Sequence, residues 1–273
     1  MDAKNITWED DTMTQEERRI WLIQDLQKQL PDYADYRIPK TEEEQWRLLR
    51  GLFNVRPPMP ASDEFLKVQG EFLREMTREK GITDGNSLEP CKKDERLSLW
   101  RGDITTLQVD AITNAANSQM LGCFLANHGC IDNIEHTMAG IEMRLRCNEL
   151  MQAQGHEEPT GQAKITSGYN LPAKYVLHTV GPIVTGGLTQ EHKRLLASCY
   201  KSCLELASKN LCFSVAFCCI STGVFMFPKD KAAEIAVATV LEYLNTHQSG
   251  PVQKVIFNVF TAEDYRIYDS ILN

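Results

Sequence analysis

The sequence lacks any apolar run of about 18 residues, the length that predicts a membrane-spanning helix. The segment from Met1 to Asp11 is polar and acidic, and it has neither the basic stretch nor the apolar stretch of a signal peptide. We therefore expect no membrane partner and a reducing, cytoplasmic compartment. Internal repeats and low-complexity tracts are also absent. The composition, with 42% hydrophobic and 24% charged residues, is that of an ordinary globular protein.

The sequence also has fewer basic than acidic residues. Against 37 Asp and Glu the 273 residues include only 29 Lys and Arg, and the formal net charge is −8. Because nucleic-acid-binding proteins need a basic face to neutralise phosphates, we expect no nucleic-acid partner. An acidic chain can still bind one anionic ligand through backbone N–H groups. The nine cysteines are an odd number in a reducing compartment, so they indicate core packing or metal binding before disulfides.

The first third of the chain has the pattern of helices. Between residues 12 and 82, apolar side chains recur at helical spacing in three segments. Candidate capping residues precede these segments: Thr14, Thr41 and Ser62. We therefore expect an N-terminal helical extension over residues 1–90, followed by one large domain over residues 91–273.

From about residue 95 short β-type runs alternate with helical patterns. The predicted strands are Leu97–Trp100, Val109–Thr113, Tyr175–His178, Ser214–Ile220 and Val255–Phe260. The predicted helices are 133–154, 190–209, 229–245 and 263–272. This alternation predicts a layered α/β domain with a largely parallel sheet, whose ligands bind on loops at the carboxyl ends of the strands.

Two of the loops that follow predicted strands carry polar side chains. The first is Gly102-Asp103-Ile104-Thr105, in which a carboxylate can accept a hydrogen bond from an exocyclic amine; the alternative is a turn closed by an Asx hydrogen bond. The second runs from Thr113 to Asn117, and its two amides, Asn114 and Asn117, can face a polyol; the alternative is an ordinary polar loop.

A third loop carries the spacing C-x4-H-x-C, formed by Cys123, His128 and Cys130. Thiolate and imidazole are ligands that zinc prefers, and three protein ligands with one open position are the pattern of a catalytic zinc. The alternative is two buried cysteines beside a hydrogen-bonded histidine. His136 is a further candidate ligand, although it lies one turn into the predicted helix. His178 and the other cysteines are expected in the core.

The fourth loop spans residues 221–228, between a predicted strand and a predicted helix. Its glycine-containing turn and the helix N-terminus that follows suit phosphate oxygens. It lacks the lysine of a P-loop, which favours holding a diphosphate over hydrolysing a triphosphate. The alternative is a plain strand-to-helix turn.

Four stretches in this order resemble the macrodomain, an ADP-ribose-binding fold. They are G-D-I-T at 102–105, A-I-T-N-A-A-N at 111–117, G-C-I-D-N-I-E-H-T-M-A-G at 129–140 and I-S-T-G-V-F-M-F-P at 220–228. The resemblance covers about residues 95–272 and implies a three-layer α/β/α fold with a mixed, largely parallel sheet. Where hydrolytic macrodomains carry a glycine run, this chain has His128-Gly129-Cys130. In that loop and in its helical extension it is similar to the zinc-containing subgroup of bacteria and fungi.

The resemblance implies a role for each matching residue. Asp103 and the N–H of Ile104 would bind adenine, with Asn258 and Phe260 nearby; Asn114 and Asn117 would orient the distal ribose. The diphosphate would be wrapped by five consecutive residues, Ser221, Thr222, Gly223, Val224 and Phe225, and Ile131 would join the ligand-binding set. One Zn²⁺ per chain would be held by Cys123, His128 and Cys130. Asp132 would act as a base or orient a water molecule.

The implied activity is zinc-dependent removal of mono-ADP-ribose from acidic side chains of proteins. The subgroup also implies a partner, a lipoyl-carrier protein resembling glycine-cleavage H protein, encoded together with a sirtuin-type ADP-ribosyltransferase. Two alternatives stay open from the sequence: a module that binds ADP-ribose without cleaving it, and a deacetylase of free O-acetyl-ADP-ribose.

Overall fold

The computed structural model describes residues 13–273, so the expectation about Met1 to Asp11 lies outside the described residues. The helices are α1 Gln15–Gln29, α2 Glu42–Val55, α3 Asp63–Lys80, α4 Ile131–Ala139, α5 Ile141–Gln154, α6 Gln190–Lys209, α7 Lys229–Thr246 and α8 Ala262–Leu272. The strands are β1 Thr83–Asp84, β2 Leu97–Arg101, β3 Leu107–Gln108, β4 Ala111–Ala116, β5 Ala163–Ser167, β6 Tyr175–Val180, β7 Ser214–Phe217 and β8 Lys254–Val259. Within the described part of the chain, no helix is long and apolar enough to cross a bilayer.

The three helices of the extension begin where their caps predict. The Thr14 side chain accepts the N–H of Glu17, whose own side chain accepts the N–H of Thr14, so the capping box is complete. The Thr41 and Ser62 side chains likewise accept backbone N–H groups three residues on. The prediction of an N-terminal helical segment is therefore confirmed.

The main sheet has six strands in the order β2-β8-β7-β4-β6-β5. All neighbours are parallel except β5 and β6. This confirms the α/β fold with a mixed, largely parallel sheet. Strand β5 was absent from the predicted strands, because it is a short edge strand whose sequence, A-K-I-T-S, is mostly polar and buries only Thr166.

The single helix predicted over 133–154 is wrong. The structure has two helices, α4 and α5, which meet at Gly140 with φ of +99°. This conformation is costly for any residue with a Cβ atom. A Cβ at Gly140 would also lie 2.6 Å from the Gln69 side chain on α3. The helix break therefore lets the extension approach the domain closely.

The extension and the sheet share one hydrophobic core. Buried side chains from α1 and α2, such as Leu22 and Leu49, belong to the same cluster as Val176 and Phe257 of the central sheet. Helix α2 packs against α4, and α3 packs against the 3₁₀ turn at Ile104–Thr106. The division at residue 90 stays a prediction.

Candidate active site

The loops that leave the carboxyl ends of β2, β4, β7 and β8 meet at one edge of the sheet. They surround a groove of about 430 Å³, whose lining includes His128, Cys130 and the run from Ser221 to Phe225. A second pocket of about 340 Å³ adjoins it and contains Asp103 and Ile104. Both are lined by Gly129, Ile131, Asn258 and Phe260. The two cavities together give an elongated site.

The turn between β7 and α7 presents backbone N–H groups to the groove. Among residues 13–273, the N–H groups of Gly223, Val224 and Phe225 have no intramolecular acceptor. Ser221 has φ of +66° and a buried hydroxyl that also has no partner among the described residues. A Cβ on Gly181 would lie 2.0 Å from that hydroxyl oxygen, so this position needs glycine. Free N–H groups ahead of a helix N-terminus suit a phosphate.

Asp103 lies in the second pocket and closes the turn there. Its carboxylate accepts the Thr105 N–H at 3.0 Å and the Thr105 hydroxyl at 2.6 Å, and Lys80 donates to its other oxygen at 3.0 Å. Burial acts to raise the pKa of Asp103, but the Thr105 and Lys80 contacts outweigh it and the pKa lies below its ordinary value. The Asx turn is therefore present, and the same carboxylate lines the pocket.

Cys123, His128 and Cys130 converge as their spacing predicts, and each is partly buried. One ligand atom from each lies within 4.8 Å of the other two, and Cys123 Sγ lies 3.5 Å from His128 Nδ1. Sulfur and nitrogen ligands of one tetrahedral zinc ion also lie about 3.5 Å apart. Burial raises the pKa of Cys130 to about 11, so the thiolate is unfavourable without a positive charge beside it. A bound dication would stabilise that thiolate. The donor set and its spacing fit zinc.

Asp132 lies two residues after Cys130, in the first turn of α4. Asn114 donates to Asp132 Oδ1 at 2.8 Å, and Asn117 donates to Oδ2 at 3.3 Å. Burial raises the pKa of Asp132 to about 6, although the Asn114 hydrogen bond and the Arg144 charge act against it. The three predicted polar residues are thus brought together. They and Cys123 do not belong to the lining of the groove.

His136 does not join the Cys123–His128–Cys130 cluster, so the structure does not support it as a further ligand there. Its ring nitrogens instead group with Cys147 and His178 in the core. Both nitrogens of His178 are already engaged, Nδ1 by the Asn114 amide at 3.1 Å and Nε2 by the Thr166 hydroxyl at 2.9 Å. Burial lowers the pKa of His178 to about 4, which keeps it neutral. His178 is therefore held by hydrogen bonds, whereas neither ring nitrogen of the buried His136 has a hydrogen-bond partner among the described residues.

Residues of the extension that the sequence did not single out also line the second pocket. They are Trp46 and Arg50 of α2 and Lys80 of α3. Glu135 was missed as well; it is fully buried, its carboxylate oxygens have no partner among the described residues, and burial raises its pKa well above the ordinary value. Cys218 lies in the core and Cys219 packs against it, as expected, and both also line the main groove.

The layered sheet, with two adjoining cavities among the loops at its carboxyl edge, defines the protein as an α/β domain. A family model for the macro domain matches residues 113–236. A protein-ADP-ribose hydrolase of Treponema medium is 54% identical over 263 residues, which cover 96% of this chain and all of the relative. A protein of the same name from Staphylococcus aureus strain MSSA476 is 51% identical, with 94% of this chain and 95% of the relative covered. The chain belongs to the macrodomain family.

Solved structures agree with this assignment. The Trypanosoma brucei macrodomain in complex with ADP-ribose is 32% identical with a TM-score of 0.62, and the match covers 82% of this chain and 95% of that one. The Oceanobacillus iheyensis macrodomain with ADP is 37% identical with a TM-score of 0.57, and covers 64% of this chain and 88% of that one. The fold of the loops and the sheet is thus that of macrodomains.

Proposed function

We propose that this chain is a zinc-dependent protein-ADP-ribose hydrolase that removes mono-ADP-ribose from acidic side chains. One observation carries the proposal: His128 and Cys130, two members of a zinc-like ligand set, line the same groove as the free N–H groups of the Ser221–Phe225 turn. A single ADP-ribose molecule could therefore place its diphosphate on the turn and its distal ribose near the metal ion. The names of the Treponema and Staphylococcus relatives support hydrolysis of protein-linked ADP-ribose; zinc dependence and the choice of acidic side chains are part of the proposal.

In this proposal ADP-ribose lies along the groove with its adenine in the second pocket. The diphosphate would accept hydrogen bonds from Gly223, Val224 and Phe225, since their N–H groups are free among the described residues. Adenine would extend into the second pocket toward Asp103 and Ile104, whose N–H also has no acceptor in residues 13–273. The distal ribose would then lie on the side of the Cys/His/Cys trio.

The bond to be broken joins the anomeric carbon of that ribose to a protein carboxylate. Zinc held by Cys123, His128 and Cys130 would supply a Lewis acid with an open coordination position. Asp132 would accept a proton at a carboxylate oxygen or orient the attacking water, and Asn114 and Asn117 would fix the direction of that carboxylate. The lipoyl-carrier substrate stays a prediction from the family resemblance.

Metal analysis paired with turnover tests the proposal. We expect one zinc per chain, loss of hydrolysis of carboxylate-linked ADP-ribose after chelation, and recovery when Zn²⁺ is added back. Full turnover after verified metal removal would rule out zinc dependence. Binding of ADP-ribose without turnover in the zinc-loaded protein would make the chain a binding module. Faster turnover of O-acetyl-ADP-ribose than of modified protein would favour the deacetylase.

Replacing Asp132 with alanine separates catalysis from binding. We expect turnover to fall about 100-fold, because general acid–base groups contribute at least that much, while ADP-ribose affinity changes less than threefold. Turnover of ADP-ribosylated protein and calorimetric binding of ADP-ribose measure the two effects. Glu149→Ala, which removes an exposed carboxylate paired with Arg146, is the control. Equal losses of turnover and affinity would make Asp132 a binding residue.

A further inference from the structure

Helix α2 of the extension reaches directly into the segment that carries the three candidate metal ligands, residues 122–130, here called the ligand loop. Arg50 Nη2 donates to the carbonyl oxygen of His128 at 2.6 Å and to Asn133 Oδ1 at 2.8 Å. One turn further along α2, Asn54 Oδ1 accepts the N–H of Asn127 at 2.9 Å. Two side chains of the extension therefore contact the backbone of the ligand loop on both sides of its histidine.

The Asn54 contact falls on a residue with left-handed backbone. Asn127 has φ of +59°, a conformation that asparagine adopts more readily than most residues with a Cβ. The Asn54 side chain is only 1% exposed, and its amide nitrogen donates to Thr137 Oγ1 at 2.9 Å. Because both ends of this amide are engaged, Asn54 holds Asn127 in one conformation.

The Arg50 contact extends through Asn133 to the start of the loop. Asn133 is fully buried, and its amide nitrogen donates to the carbonyl oxygens of Cys123 at 3.3 Å and Leu125 at 2.9 Å. Its backbone N–H donates to Cys130 Sγ at 3.4 Å. Arg50 thus orients a residue that touches both cysteine ligands.

The carboxyl end of α2 is tied to the same region a second time. Arg144 of α5 donates to the carbonyl oxygens of Asn54 at 2.7 Å and Arg56 at 2.6 Å. Its Nε donates to Leu121, just before the loop, at 2.8 Å. A Cβ on Gly51 would lie 3.2 Å from the Asn127 amide, so α2 and the loop are in close contact. The extension therefore contacts the ligand loop at Ala126, Asn127 and His128.

We propose that α2 is a positioning element for the metal site, in which Arg50 and Asn54 hold the ligand loop in the conformation that brings Cys123, His128 and Cys130 together. The inference rests on the proposed zinc site. Loops of this kind lose conformational entropy when they bind a metal, and contacts that order them beforehand raise affinity. Residues that orient metal ligands are worth about 10- to 100-fold in metal affinity.

The test is a zinc competition titration on the full-length protein with Arg50→Ala and Asn54→Ala. We expect zinc affinity about 10- to 100-fold weaker than in the unsubstituted protein, with turnover partly restored at high zinc. Arg47→Ala is the matched control, because Arg47 is an exposed arginine on the same helix and makes no hydrogen bond or ion pair within residues 13–273. The d–d spectrum of the cobalt-substituted protein, which reports ligand geometry, should change in both variants and not in the control.

The outcomes separate this inference from the proposed function. If the unsubstituted protein binds no zinc, the proposed function fails. If it binds zinc and both variants retain its affinity and its cobalt spectrum, the positioning role of α2 is wrong. Thermal unfolding checks that each variant is folded; should buried Asn54→Ala fail to fold, the partly exposed Arg50 decides the result alone.

Discussion

Replacing Cys130 with serine is expected to remove bound zinc and to lower the turnover of ADP-ribosylated protein by about 1,000-fold. A hydroxyl is a poor zinc ligand, and two remaining ligands leave the ion without the three protein donors of a catalytic site. Serine is chosen because Cys130 is also the N-cap of α4, where its side chain accepts the N–H of Asn133. Serine keeps that cap, so a loss of zinc is not a loss of the helix.

The measurements are zinc content by mass spectrometry and turnover on the same protein preparation. Cys212→Ala is the control, because Cys212 is a buried cysteine that belongs to neither candidate ligand cluster. It is expected to lose stability and keep its zinc. A folded Cys130→Ser protein that hydrolyses at the unsubstituted rate without zinc would contradict the catalytic role of the metal.

Replacing Gly223 with glutamate is expected to weaken ADP-ribose binding by about 1,000-fold, equivalent to about 4 kcal/mol. A Cβ at Gly223 meets no atom within 4 Å, so the substitution introduces no clash inside the protein. The new carboxylate lies where the diphosphate would accept hydrogen bonds from backbone N–H groups. Like charges brought next to each other in a binding site reduce the binding free energy by several kcal/mol.

Two further substitutions separate charge from bulk at this position. Gly223→Gln adds nearly the same volume without charge and should lose less affinity than Gly223→Glu, while Gly223→Ala should bind almost normally. Isothermal titration calorimetry with ADP-ribose measures all three. If Gly223→Glu kept its affinity within threefold, the diphosphate would not lie on this turn.

Sequence reasoning singled out the loops that surround the groove because their signals are local. The Cys123–Cys130 spacing and the glycine turn after β7 each lie within a few residues, and backbone geometry there follows from the residues themselves. Capping residues likewise placed the starts of α1, α2 and α3. These features need no knowledge of how distant segments pack.

The contribution of the extension could not be found in this way. Arg50 and the His128 carbonyl that it contacts are 78 residues apart, and a backbone acceptor leaves no residue-type signal. The break at Gly140 was missed because the apolar pattern continues through it, and the tight contact that requires glycine there comes from Gln69 on another helix. His136 was considered as a ligand from its nearness in sequence, but the first turns of α4 direct it into the core.

The free N–H groups at Gly223, Val224 and Phe225 also determine which side chains of this turn can be substituted without loss of binding. A ligand bound by backbone N–H groups depends little on which side chains the turn carries. Alanine scanning across the turn would therefore largely fail to detect the binding site. Val224, which lines the groove, is 72% exposed, and Met226, two residues further along the turn, is 61% exposed. Substitutions of these two side chains are therefore expected to leave the backbone N–H groups of the turn in place.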